Sequence, residues 1–142
     1  MAAKHILVGA DFSEQSKRAI AAVAEYARAN GSKVTLIYVT DPREFVPPQA
    51  VLVPGGTGLT EETYKAELAG LRDEVLSGLE ADIVVIMDHA SARAICDYAN
   101  DHDVDLIAVG SHGHGRAERW LIGSVAERVV RHAHCNVLVV RQ

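Results

Sequence analysis

The residues best suited to chemistry lie in the run Val109-Gly110-Ser111-His112-Gly113-His114-Gly115 and in Leu121-Ile122-Gly123-Ser124-Val125 just after it. An apolar stretch, Val104 to Val109, leads straight into the glycines, and an amphipathic helical pattern leaves from Gly123-Ser124. A strand that ends in a glycine loop and opens into a helix brings backbone amides against phosphate. Glycines let a ligand approach the main chain, and the helix N-terminus supplies unpaired N–H groups and a positive dipole end. The spacing Gly110-x2-Gly113-x9-Gly123-Ser124 is more specific than a lone glycine-rich loop. As plain turn glycines, the same residues would only join strand to helix. Ser124 suits either a helix cap or a phosphate hydrogen bond. Arg116 and Arg119 read as solvated cations, and Trp120 as packing for the loop.

A second candidate is Asp11, at the end of the apolar run Ile6-Leu-Val8. Its carboxylate can cap the next helix, or it can meet a ribose or a phosphate-bound Mg²⁺, an ion that prefers oxygen ligands. The histidine pairs His112-x-His114 and His132-x-His134 resemble metal ligands at first sight. In a helix, residues i and i+2 point roughly 200° apart, so His132 and His134 do not converge on one ion. His112 and His114 lie in the glycine loop, near phosphate or in solvent. No thiol or carboxylate completes a four-ligand set, and metal binding by histidine is not expected. No Gly-x-Ser-x-Gly elbow or nucleophile-base pair is present. Nor is there a dedicated residue to position water on a bound ATP, so hydrolysis is expected to be slow or absent.

These groups must be held by regular elements. Lys4 to Ala10 predicts a buried strand. Ser13 predicts an N-cap for a helix whose stripe is Ile20, Val23, Ala24 and Ala27, ended by Asn30-Gly31. Val34 to Val39 predicts the second strand. The stretch 42–58, with all four prolines and Gly55-Gly56-Thr57-Gly58, predicts a long connector without a P-loop ending. Thr60 caps a second helix with the stripe Tyr64, Leu68, Leu71, Val75 and Leu79. Ile83 to Met87 is the third strand, and Ser91 caps a third helix facing inward with Ala92, Ile95 and Ala99. Asp101-His102-Asp103 turns into the fourth strand, Val104 to Val109. A fourth helix buries Ile122, Val125, Ala126, Val129 and Ala133, and Asn136 to Val140 is the last strand. Apolar strands alternating with amphipathic helices predict an α/β, doubly wound parallel sheet with helices on both faces. Ligands bind such sheets beyond the carboxyl ends of the strands, where the strand order reverses.

A chain of 142 residues suits a single domain, 1–142, and a domain near this size buries roughly 68–70% of its unfolded surface. Aromatic residues make up only 5%, so the core is aliphatic. A net charge of −5 argues against nucleic-acid binding. Cys96 and Cys135 form neither a CxxC pair nor a zinc spacing and read as reduced thiols. No signal peptide and no membrane-length apolar run is visible. A soluble, cytoplasmic protein is expected.

The glycine spacing resembles the nucleotide-binding signature of the universal stress protein family. The resemblance extends to Ile6-Leu-Val-Gly-Ala-Asp-Phe-Ser13, to Val34-Thr-Leu-Ile-Tyr-Val39 and to Cys135-Asn-Val-Leu-Val-Val-Arg141. It implies the sheet order 3-2-1-4-5, which sets the loops after the first and fourth strands face to face. It implies ATP with Mg²⁺ as the ligand. Ala10, Asp11 and the backbone of Val39 would lie on the adenosine side. Gly110, Gly113, Gly123, Ser124 and Val125 would hold ribose and phosphates, with His114 and Gly115 in the same loop. It also implies a homodimer through the edge strand 137–140. The chain departs from the family at Asn136, where proline is common, and at Asp88-His89-Ala90-Ser91, which lacks the usual Gly and Pro. All glycines of the signature are present, which places the chain with the ATP-binding branch. The function expected first is an ATP-binding stress-response protein, a homodimeric nucleotide-dependent switch or binding module with at most weak ATPase activity. A nucleotide-free dimeric interaction module comes second, and an adenylylating or nucleotide-hydrolysing enzyme third. The partner protein is not specified by the sequence.

Overall fold

A computed structural model describes residues 2–42, 60–111 and 122–141. The elements run β1 (His5–Gly9), α1 (Glu14–Asn30), β2 (Lys33–Thr40), α2 (Glu61–Val75), β3 (Ala81–Met87), α3 (Ser91–Asp101), β4 (Leu106–Gly110), α4 (Ser124–His132) and β5 (Asn136–Val140). The five strands form one sheet in the order β3-β2-β1-β4-β5, and every neighbouring pair is parallel. The expected doubly wound α/β fold and its strand order are both present.

Side-chain alternation along the strands builds two cores. Ile6 and Val8 of β1, with Val34 and Leu36 of β2, face Ile20, Val23, Ala24 and Ala27 of α1 and Leu68 and Leu71 of α2. Leu7 of β1, Ile37 of β2 and Ile107 of β4 face Ile95 and Ala99 of α3 and Val129 of α4. Successive residues of a strand point to opposite faces, so the central strands are mostly apolar because both of their faces are covered.

Helix ends show which local signals decide the boundaries. Ser13 caps α1, its side chain accepting from Ser16 N, and Thr60 caps α2 in the same way from Thr63 N. Gly31 ends α1 at φ 68°, the left-handed turn that a residue without Cβ adopts freely. At the end of α3, Asp103 takes the same conformation at φ 52°, while Val104 N donates to Ala99 O at 3.1 Å.

Several boundaries differ from expectation. Ser91 is the first residue of α3, not its cap; Ala90 holds the cap position without a side-chain hydrogen bond, and the turn is fixed by Ala90 N donating to Asp88 Oδ1 at 2.8 Å. β4 begins at Leu106 because Val104 is used to close α3. α2 ends at Val75, so Leu79 packs on the core from beyond the helix. α4 buries Ala126 and Val129, whereas Ile122 and Val125 are about two-fifths exposed, at 42% and 40%. β3 is an edge strand, as the order 3-2-1-4-5 implies, and it is only partly buried. No helix among the described residues is long and apolar enough to cross a membrane.

Candidate functional site

The crevice forms where β1 and β4 lie side by side, paired through Ile6↔Leu106, Leu7↔Ile107 and Val8↔Ala108. β1 connects onward to β2 on one side, while β4 connects to β5 on the other, so the strand order reverses here. The close approach of the two strands leaves little room at Gly9. A Cβ there would stand 3.3 Å from Val109 Cγ1 and 3.7 Å from Ile95 Cδ1.

From β1, Ala10 continues the ladder, its N–H donating to Ile37 O at 2.9 Å. Asp11 then turns into α1. Its Oδ1 accepts from Ser13 N at 2.9 Å and from the Ser13 hydroxyl, and its own N–H donates to Ser16 Oγ at 3.1 Å. Asp11 is therefore not the cap. Ser13 caps the helix, and Asp11 holds Ser13 in place. Between them Phe12 takes a left-handed φ of 63°, an uncommon conformation for a bulky side chain.

β2 reaches farther than β1. The last β1–β2 pair is Gly9↔Ile37, while β2 remains paired with β3 as far as Thr40↔Met87. Backbone groups along a strand alternate sides, and Ile37 O faces β1, where it takes the Ala10 amide. Two residues on, Val39 presents its N–H and C=O to that same side, past the end of β1. A donor and an acceptor thus stand side by side over the crevice.

From β4, the chain leaves through Gly110 and the buried Ser111. Ser111 N donates to Val140 O at 2.9 Å, and Gly123 N donates to Ser111 O at 2.6 Å. These bonds bring Gly110 and Gly123-Ser124-Val125 to one place, although twelve positions separate Ser111 from Gly123 in the sequence. Gly123 is the cap residue of α4, at φ −61° and ψ 156°, with no side-chain hydrogen bond to the helix. Ser124 is the first helical residue and is exposed; it is not the cap. α1 and α2 have their first amides capped by Ser13 and Thr60, but Gly123, the cap residue of α4, has no side chain to do the same. Unpaired N–H groups at a helix start attract anions. Gly113, His114 and Gly115 lie outside the described residues, as do His112, Arg116, Arg119 and Trp120.

The structure thus brings Ala10, Asp11, Val39, Gly110, Gly123, Ser124 and Val125 to the C-terminal edge of the sheet. Sequence reading passed over Ser16, whose hydroxyl accepts from the Asp11 amide, and Phe12. Ser13-x-x-Ser16 right after a strand was the available signal for the first; nothing in the sequence marks the second. α4 ends at His132, so His134 lies beyond the helix and the helical angle between the two histidines does not apply. Among the described residues no group of three His, Cys, Asp or Glu is placed to hold a metal ion. Both cysteines are free thiols. Burial is the main cause that pushes the pKa of both thiols up; the neighbouring Cys135 adds to the shift at Cys96.

Comparison with known proteins agrees with this geometry. The model of the universal stress protein family matches residues 2–141. A Staphylococcus haemolyticus relative that carries the universal stress protein name, SH1215, is 30% identical over 143 residues, covering 97% of this chain and 84% of its own. Among solved structures, MJ0577 superposes with a TM-score of 0.80 at 29% identity, over 100% of this chain and 98% of its own. The universal stress protein UspA from Lactobacillus plantarum superposes with a TM-score of 0.75 at 26% identity, over 97% of each chain. The match runs through both strands that frame the crevice and through the glycine signature after β4, and this chain belongs to the universal stress protein family.

Proposed function

We propose that this protein is a cytoplasmic adenine-nucleotide-binding stress protein, the whole chain acting as one domain that takes ATP with Mg²⁺ and works as a homodimeric switch or binding module. The observation that carries the reading is the overhang of β2 at Val39. Adenine presents an acceptor at N1 beside a donor at N6, which matches the Val39 N–H and C=O. Guanine presents a donor at N1 beside an acceptor at O6 and would meet like groups. Phosphates would then run toward Gly110, Gly113, His114, Gly115 and the open N-terminus of α4 at Gly123, Ser124 and Val125. Ala10 and Asp11 would border the ribose, with Mg²⁺ carried by the phosphates and Asp11 the carboxylate nearest to them. Structures of this fold hold cAMP in one universal stress protein and dAMP in that of Archaeoglobus fulgidus. At 23% identity each, they speak for the fold alone.

The homodimer rests on β5. It is an edge strand, and Leu138 on it is 39% exposed. An apolar edge invites pairing with a second copy. The reading assigns no catalytic residue and includes at most slow hydrolysis.

Thermal unfolding with ATP-Mg²⁺, ADP, AMP and GTP tests the reading. A ligand at a hundred times its dissociation constant adds about 2.7 kcal/mol, or roughly 5–15 °C for a chain of this size. Adenine nucleotides should raise the midpoint, GTP should raise it far less, and Gly113→Val should abolish the shift. No shift at millimolar ATP would overturn nucleotide binding and leave the nucleotide-free dimer.

A further inference from the structure

Three aromatic rings meet beneath the crevice. The Phe12 ring lies 4.9 Å from that of Tyr38 and 6.4 Å from that of Tyr64, the latter pair nearly parallel at 16°. Tyr38 and Tyr64 complete the triangle at 4.8 Å. Tyr64 is buried in the first turn of α2. The chain has two Phe and four Tyr, and three of these six are gathered at one point. Two of them are sequence neighbours of the crevice groups: Phe12 follows Asp11, and Tyr38 precedes Val39.

Strand alternation puts the Tyr38 ring on the α1–α2 face, where it packs on that core with Phe12. Val39 packs on the opposite face. The rings therefore lie outside the crevice and act on it only through the backbone. At residue 12 that backbone is left-handed, at φ 63°. A conformation unfavourable for a β-carbon-bearing residue persists only where its surroundings hold it, and stacked rings at these distances supply such a hold.

We propose that Phe12, Tyr38 and Tyr64 form a positioning cluster that locks the Asp11 turn to the overhanging end of β2, so that the Asp11 carboxylate and the Val39 main chain meet one nucleoside together. The inference rests on the nucleotide reading above and adds to it what sets the distance between the two contacts. The rings are positioning residues; none touches the ligand.

The test uses three variants of the full chain. Phe12→Gly relieves the backbone and removes the ring, Tyr64→Leu removes a ring two side chains away from the ligand, and Phe12→Tyr keeps the stack. Calorimetric titration, well below each melting point, gives affinities for ATP-Mg²⁺, for its 2′,3′-dideoxy analogue and for GTP-Mg²⁺. The expected result is a loss of about tenfold or more in ATP affinity for Phe12→Gly and Tyr64→Leu, the scale of one weakened hydrogen bond to a charged group. The same variants should lose preference for ribose over dideoxyribose and for adenine over guanine, while Phe12→Tyr keeps the wild-type values. A variant that was merely less stable would keep its preferences in this temperature range. Wild-type affinity and preferences in Phe12→Gly, or in Tyr64→Leu should the glycine variant not fold, would overturn the cluster's role and leave nucleotide binding standing. A wild-type protein that does not bind ATP would overturn both.

Discussion

The amide of Gly123 donates to the carbonyl of Ser111 at 2.6 Å, and this bond joins the two ends of the glycine signature. Ser111 is 2% exposed, so its carbonyl has little access to water as an alternative partner. The backbone of Gly123 is ordinary, at φ −61°, and it needs no glycine for conformational reasons.

Two substitutions at Gly123 should therefore part company. Gly123→Ala keeps the N–H and should leave urea stability within about 0.5 kcal/mol, while weakening ATP wherever phosphate approaches the Cα. Gly123→Pro fits the same φ but removes the donor, and it should cost about 1–3 kcal/mol by breaking the hydrogen bond to a buried carbonyl. Equal stability of the two variants would show that the bond contributes nothing.

Ser13 caps α1 and is itself held by Asp11. Ser13→Ala should cost about 1 kcal/mol of folding stability. In combination with Asp11→Ala the losses should fall short of their sum, because each variant already breaks the link between the Ser13 hydroxyl and the carboxylate. Strict additivity in a urea double-mutant cycle would separate the two residues.

Leu138→Lys puts a charge on the exposed side of the edge strand β5. Size exclusion should show the wild type as a dimer and the variant as a monomer. An unchanged dimer would place the contact elsewhere.

Asp88 governs an acid-sensitive turn. The Ala90 amide, followed by Arg93, whose guanidinium lies 3.2 Å from Oδ1, holds its carboxyl below the ordinary value of 3.8. A carboxyl depressed in the folded state contributes stability that is complete above the unfolded value and is lost as pH falls through the folded one. The urea midpoints of wild type and Asp88→Asn should therefore differ at pH 6 and converge as the solution is acidified to about pH 2–3. A difference independent of pH would sink this account.

Burial suppresses both thiolates. Cys135, half-buried, should react with a thiol reagent at neutral pH before the buried Cys96, and both should react more slowly than a free cysteine until urea opens the fold. Faster labelling of Cys96 would contradict the packing.

Much of this architecture was legible in the sequence. Ser13, Thr60 and Gly31 announce their helix ends because a cap is a local event between a side chain and amides a few residues away. The boundary at Ser91 was not legible, since periodicity is the same whether Ser91 precedes the helix or begins it; a carboxylate three residues earlier decides. β3 carries the apolar run of a central strand, and only the family resemblance put it at the edge, because periodicity counts faces and not neighbours. At the site, the glycines point to a phosphate loop, but the reach of Val39 past β1 depends on the relative lengths of two strands. The left-handed Phe12 is imposed by rings from β2 and α2, which no local pattern encodes.

The central place of β1 has a further consequence, for how the molecule comes into being. β1 leaves the ribosome before the other four strands, yet its pairing with β4 and the grip of the Asp105 carboxylate on the His5 amide span a hundred residues. A nascent chain released only through β3 can assemble β1, β2 and β3 with α1 and α2. It then displays one open edge of β1, and Leu7 and Ile37 still lack the helices that finally cover them. Long-range pairing of this kind is slow to form and leaves apolar surface exposed meanwhile. A chain arrested after β3 should be cut readily by protease and held by chaperones, whereas one extended past β5 should resist both. The strand made first is thus among the last to be fully enclosed, and the cell must shelter it for most of the chain's synthesis.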